Sequence, residues 1–160
     1  MEVNHFFSSP VFILTDNKYG ENIDVLLKEI YQWREDDEVD LVRSNNGGWH
    51  SPTDIFRKEQ PGLKRICQLM INCFGKCTKE IAPEFKPENM DMKGEGWVNV
   101  NPQYGFNVPH DHPGYTWSGV YYVSLPEKKD PKSRSGSIEL LDPRTNTAAM
   151  ATDIARSSTY

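Results

Sequence analysis

Trp97-Val98-Asn99-Val100-Asn101, followed by Asn107-Val108-Pro109-His110-Asp111-His112-Pro113-Gly114 and then by Ser118-Gly119-Val120-Tyr121-Tyr122-Val123, is the stretch that decides how this chain folds. Its outer parts alternate at a period of two and are rich in β-branched and aromatic side chains, which suits half-buried strands and not helices. Ser137-Ile138-Glu139-Leu140-Leu141 has the same character further on. Pro102, Gly105, Pro113-Gly114, Pro126 and Gly136 break these runs at short intervals. Such punctuation predicts short antiparallel strands joined by turns, a jelly roll or similar β-sandwich, rather than strands alternating with helices. The charged segment from Glu127 to Arg134, with Pro131 and no apolar anchor, predicts a mobile hairpin loop.

Upstream of Pro87 the periodicity is helical. Ile23, Leu26, Leu27, Ile30 and Trp33 recur at steps of three and four, with Asn22 placed to cap them. Leu63, Ile66, Cys67, Met70 and Phe74 repeat the pattern behind Pro61, a residue that suits a first helical turn because its missing N–H costs nothing there. Between the two, Ser44-Asn45-Asn46-Gly47-Gly48-Trp49-His50-Ser51-Pro52 is a run of turn-formers and predicts a surface loop. The expectation is an α+β chain of 160 residues forming a single domain, with a helical supporting region over 1–90 and the first part of the β core over 91–160.

Charge and composition exclude some functions. A net charge of -5 disfavours nucleic acid, whose binding rests on many Lys and Arg contacts to phosphate. No segment approaches a membrane span, and the N-terminus lacks a basic stretch followed by an apolar run, so the expected location is the cytoplasm. Cys67, Cys73 and Cys77 are an odd set without paired two-residue gaps, which predicts core thiols rather than disulfides or a zinc site.

Chemistry is concentrated in His110-Asp111-His112. On extended backbone, residues two apart point to the same side, so the two imidazoles face one volume and Asp111 faces the other way. Their backbones stand about 7 Å apart at a rise of roughly 3.3 Å per residue, and the side chains can lean together onto a metal at about 2.0–2.1 Å. Pro109 and Pro113 donate no ladder bonds, which puts the pair at a strand end. Spacing alone leaves the metal open, because imidazole suits iron, zinc, copper or nickel, and a polar turn that hydrogen-bonds backbone is the competing reading. Asn99 and Asn101, sharing a face with Trp97, predict a polar cavity wall or an exposed sheet face. His50 and His5 have no partner at strand spacing and read as solvent or hydrogen-bonding residues.

The ordered set of segments quoted above, continued by Ser135-Gly136-Ser137-Ile138 and Asp142-Pro143-Arg144, resembles the small iron(II)- and 2-oxoglutarate-dependent oxygenases, in particular those of marine bacteria and their phages. Asn46-Gly47-Gly48-Trp49-His50-Ser51 resembles that family's N-terminal half, and prolyl hydroxylases are more remotely similar. The resemblance implies a double-stranded β-helix holding iron(II) by His110 and His112, with 2-oxoglutarate as cosubstrate and a hydroxylated product formed alongside succinate and CO2. The second ligand in such enzymes is usually a carboxylate two residues after the first. His112 stands at that position here, and Asp111 substitutes for it only if the chain reverses locally. By the same resemblance Tyr122 faces the pocket and hydrogen-bonds the distal carboxylate of 2-oxoglutarate, with Asn99 and Asn101 as further cosubstrate-binding residues; a cross-strand packing role is the alternative for Tyr122.

A distal histidine and a basic residue after it, both implied by the resemblance, are not found between Thr145 and Tyr160. The expectation is therefore a β-helix incomplete at its C-terminus, with the third ligand beyond Tyr160, an inactive fragment, and a sheet edge open to aggregation or assembly with another chain. Two other functions stay open: a cupin-like metal protein that does not use 2-oxoglutarate, and a non-catalytic structural or assembly protein, located in the host cytoplasm if phage-encoded. The primary substrate is not legible.

Overall fold

The three- and four-residue spacing produces two amphipathic helices, α1 (Ile23–Asp36) and α2 (Pro61–Ile81). In the computed structural model, the described residues are 9–15, 22–86, 93–127, 130 and 132–142. α1 buries Leu26, Ile30 and Trp33, while α2 buries Gly62, Leu63, Ile66, Cys67 and Cys77. Asn22 stands at the head of α1, although its side chain makes no capping hydrogen bond. The head of α2 is capped from its neighbour instead. The Glu29 carboxylate on α1 accepts the backbone N–H groups of Gly62 at 3.2 Å and Leu63 at 3.0 Å. These donors have no partner inside their own helix, and a negative group there also meets the positive end of the helix dipole. Gly62 permits the close crossing, since a Cβ at that position would lie 3.0 Å from the Leu26 Cα.

α2 continues past the expected end at Phe74 because its far part is also anchored. Cys77 is buried, and the Thr78 hydroxyl donates to the Phe74 carbonyl at 2.8 Å. The three cysteines are free thiols, Cys67 and Cys77 buried and Cys73 half-buried, as their placement on a core helix predicts. Burial pushes the Cys67 thiol above its ordinary value.

Four two-residue strands follow: β1 (Asn45–Asn46), β2 (Trp49–His50), β3 (Asn99–Val100) and β4 (Phe106–Asn107). They form two small antiparallel sheets, β1 with β4 and β2 with β3, which together with the helices make the chain α+β. Trp49 lies opposite Val100 and His50 opposite Asn99. The pairing continues beyond the strands: Ser51 N–H donates to the Val98 carbonyl at 3.0 Å, Val98 N–H donates to Ser51 Oγ at 3.0 Å, and Ile55 N–H donates to the Gly96 carbonyl at 3.2 Å.

The run from Ser44 to Pro52 is thus not a surface loop. Its first part turns at Gly47, where φ is +71°, but Trp49, His50 and Ser51 are 5%, 2% and 0% exposed. The turn-formers end the strand pair locally, while burial is set by the distant partner at 98–100, which local composition does not reveal. Trp49 meets Trp33 edge to face at 5.8 Å and donates its indole N–H to Asp37 at 2.8 Å. Lys58 places its ammonium 4.1 Å from the centre of the Trp33 ring. The core is completed by Ile55 from the short 3-10 turn Ile55–Arg57 and by Val98, Val100, Tyr121 and Val123 packed on it.

The segments 119–123 and 137–141 form no strand. Alternation does separate two faces of the first: Tyr121 and Val123 pack on the core while Val120 and Tyr122 are exposed. Gly119, on the inward side, lies so close to α2 that a Cβ would come within 3.1 Å of the Phe74 ring. A strand also needs a paired neighbour in a sheet, and the sheets among the described residues include neither segment. No jelly roll is present among the described residues.

The chain divides into two compact units, Met1–Val123 and Ser124–Tyr160. In the second, Ser133 N–H bonds to the Asp130 carbonyl at 2.9 Å and Ser137 N–H to the Arg134 carbonyl at 3.0 Å, giving consecutive turns. Gly136, at φ +70°, occupies the left-handed region that the second turn requires. The expected hairpin loop at Glu127–Arg134 falls partly outside the described residues, as do His5 and the whole of 143–160, including Arg144. No helix among the described residues is long and apolar enough to cross a membrane.

Candidate metal centre

His110 and His112 lie on an irregular segment that is fixed at both ends. Upstream, Val108 N–H donates to the Ser44 carbonyl at 2.8 Å, Asn107 Nδ2 donates to Ser44 Oγ at 3.0 Å, and Asn101 Nδ2 donates to Asn107 Oδ1 at 3.0 Å. Downstream, the Trp117 indole N–H donates to Thr78 Oγ1 on α2 at 2.8 Å, and Phe12 packs edge-on against the same indole at 5.8 Å. His112, Pro113, Gly114 and Tyr115 make a tight turn: the Tyr115 N–H reaches the His112 carbonyl at 3.4 Å and Gly114 has φ +85°. Pro before Gly is the pairing that such a turn favours, because Pro presets the second residue and Gly accepts a positive φ at the third.

Within this frame the two imidazoles are in contact, ring centres 4.8 Å apart and planes at 82°. His110 is exposed, His112 half-buried and Asp111 exposed. His110 Nδ1 is 2.8 Å from the Val108 carbonyl. A carbonyl only accepts, so Nδ1–H is the donor of this contact and Nε2 is the nitrogen left over for a metal. Such a backbone carbonyl behind a ring is the support that metal-ligating histidines ordinarily have. His112 has no hydrogen bond to its ring among the described residues. It rests instead on Trp97, ring centres 5.5 Å apart and planes at 43°.

Trp97 in turn stacks on His50 at 5.3 Å, with only 16° between planes. His50 is buried beside the strand pair, its Nδ1 2.6 Å from the Ser51 carbonyl. A continuous series of rings, His50, Trp97, His112 and His110, therefore links the core to the surface. Of the two roles expected of His50, solvent-exposed or hydrogen-bonding, it has the second: it is a hydrogen-bonding residue of the core. Sequence reasoning placed Trp97 on the Asn99 and Asn101 face without joining it to the histidines, because that contact depends on how 108–112 folds back.

The expected cosubstrate residues occupy varied settings. Asn99 and Asn101 are both exposed, Asn101 being engaged with Asn107. Tyr122 is exposed on the face turned away from the core. No group of three or more His, Cys, Asp or Glu side chains that could hold a metal occurs among the described residues. A separate cleft of about 680 Å³ lies along α1 and is lined by Trp33, Asp36, Asp37 and Lys58 among others. Asp37 there is already engaged by the Trp49 indole, so its role is structural.

Close to the histidines, the Glu95 carboxylate accepts the Tyr115 phenol and holds its pKa above the ordinary tyrosine value. A raised folded-state pKa contributes stability that is complete below the unfolded value of about 10 and is lost as pH rises through the folded one. E95Q should lower the Tyr115 pKa, read as tyrosinate absorbance during an alkaline titration. An unchanged titration curve would show that Glu95 does not govern this phenol.

Residues 95–159 match the model of the family described as "Putative 2OG-Fe(II) oxygenase". The matched segment covers about two fifths of the chain, with Trp97, Asn99, Asn101, His110, His112 and Tyr122 inside it and both helices outside. No curated protein and no solved structure matches the chain.

Proposed function

We propose that this protein is an Fe(II)- and 2-oxoglutarate-dependent oxygenase in which His110 and His112 are metal ligands. The observation that carries the reading is the contact of the two rings. A metal about 2.1 Å from an imidazole nitrogen lies roughly 3.2 Å from the ring centre, so two rings converging at about a right angle have centres roughly 4.5–5 Å apart. The observed 4.8 Å agrees with that value. The hydrogen bond from His110 Nδ1 to the Val108 carbonyl leaves the other nitrogen available as a donor. Two imidazole nitrogens suit iron(II), and the third ligand proposed is the distal histidine that the resemblance implies.

Bound iron(II) with 2-oxoglutarate supplies an oxidative decarboxylation in which one oxygen atom of O2 enters succinate and the other enters the substrate. The chain's own part is to hold and orient. Asn99 and Asn101 offer amide donors, and Tyr122 offers a phenol, to the cosubstrate carboxylate. The fold proposed for the complete site is the double-stranded β-helix, and the proposed setting is the cytoplasm. The primary substrate is a C–H compound of unassigned class.

The test is joint binding. With Ni(II) in place of iron, 2-oxoglutarate should raise the melting temperature only when the metal is present, because linked binding to the folded state stabilises it by mass action. A metal-dependent rise without any response to 2-oxoglutarate would favour a cupin-like metal protein. No response to either would leave a non-catalytic role for the fold.

A further inference from the structure

The two proposed ligands are supported in different ways. His110 has a backbone carbonyl behind it, whereas the His112 ring has no hydrogen-bonding partner among the described residues and touches Trp97. We propose that Trp97, braced by the buried His50, is a positioning residue that fixes the His112 ring for metal binding; this rests on the reading of His110 and His112 as ligands.

Trp97 is itself held firmly. The next residue, Val98, exchanges hydrogen bonds with Ser51 through both its N–H and its carbonyl. The indole lies nearly parallel to His50, the arrangement in which stacked aromatic rings attract, and His50 is 2% exposed with its own Nδ1 tied to the Ser51 carbonyl. A ring locked on both its backbone and its face restricts the rotation of whatever packs against it. His112 sits just before the Pro113-Gly114 turn, outside any strand, and among the described residues its ring contacts are with Trp97 and His110. Elsewhere, the group that orients a ligating imidazole is a hydrogen-bond acceptor, and losing it weakens metal affinity by about 10–100-fold. Here a planar aromatic contact takes that place for one of the two rings.

The experiment uses Co(II), whose visible absorption reports ligand geometry, titrated into the parent chain and into W97A, W97L, W97F, H50A and H50F. W97A and W97L should bind Co(II) about 10-fold more weakly, and W97F should stay near the parent because it keeps an aromatic face. H50A should weaken binding in the same direction and H50F should restore it. In the metal-free proteins, the imidazole NMR signals of His112 should shift more in W97A and W97L than those of His110, while signals of residues remote from Trp97 stay in place, a selectivity that general loosening of the fold would not give. W97L preserves bulk and keeps the comparison available if W97A does not fold. Equal Co(II) affinity in parent and W97L, or unmoved His112 signals, would overturn the positioning role alone. Co(II) that never binds the parent would remove the metal reading and the positioning role together.

Discussion

Replacing His110 and His112 together by alanine is expected to abolish metal binding while leaving the fold in place. The two side chains are exposed and half-buried, and among the described residues their ring contacts and hydrogen bonds are with each other, the Val108 carbonyl and Trp97. Surface substitutions of this kind change stability by no more than about 0.5 kcal/mol, so the melting curve without metal should be nearly that of the parent. Affinity should respond far more. Removing a group that merely supports a ligand costs about 10–100-fold, and removing a ligand should exceed that, so each single variant is expected to lose at least about 100-fold and the double variant all measurable binding. Isothermal titration with Co(II) reads the loss directly. Asp111→Asn provides the control that separates the two arrangements of this segment, for it should bind like the parent if alternation turns Asp111 away. Affinity lost in D111N and retained in H112A would reassign the second ligand.

The second large effect is on stability. Leu63→Ala should cost about 3 kcal/mol, within the range found when a fully buried leucine is truncated and its cavity is only partly refilled. Leu63 is 0% exposed in the first turn of α2, and it belongs to the same cluster as Leu26 and Ile30 of α1. Its backbone N–H is held by Glu29, so the surrounding turn has little freedom to collapse into the space. Urea denaturation checks this as a lower midpoint with an unchanged slope. Val42→Ala, at a residue 81% exposed, should change stability by less than about 0.5 kcal/mol. A Leu63→Ala loss as small as that of Val42→Ala would mean that the helix crossing is not the centre of the core.

The helices were legible because their signal is local. Leu26, Ile30 and Trp33 mark α1, and Leu63, Ile66 and Cys67 behind Pro61 mark the start of α2; each apolar set lies on one stripe and is buried as the spacing predicts. The far end of α2 was missed because Gly75, Lys76, Lys79 and Glu80 dilute the stripe, and Cys77 with the Thr78 back-bond carries it on. Alternation at 119–123 separates two faces but does not say which is inward or establish a strand, since pairing depends on a neighbour that a single segment does not specify. The same limit hid β2. Trp49 and His50 follow two glycines and look like a loop, and only the partner at 99–100 makes them core.

For the site, the pattern His110-Asp111-His112 drew attention to the two rings, and the rings do touch. What spacing could not supply was their surroundings. Trp97 and His50 come from segments far apart in the chain, so no local window contains the series of rings that backs His112.

The cross-link between Ser51 and Val98 spans 47 positions of sequence. Bringing such distant ends together costs about 3 kcal/mol in chain freedom before any contact repays it, by the logarithmic dependence on loop length. The ring wall under the histidines is consequently expected to close after the locally encoded helices have formed. Nicking the intervening chain near residue 85 would convert that closure into a meeting of two separate fragments, and the histidines would lose their backing while the helix pair stayed joined.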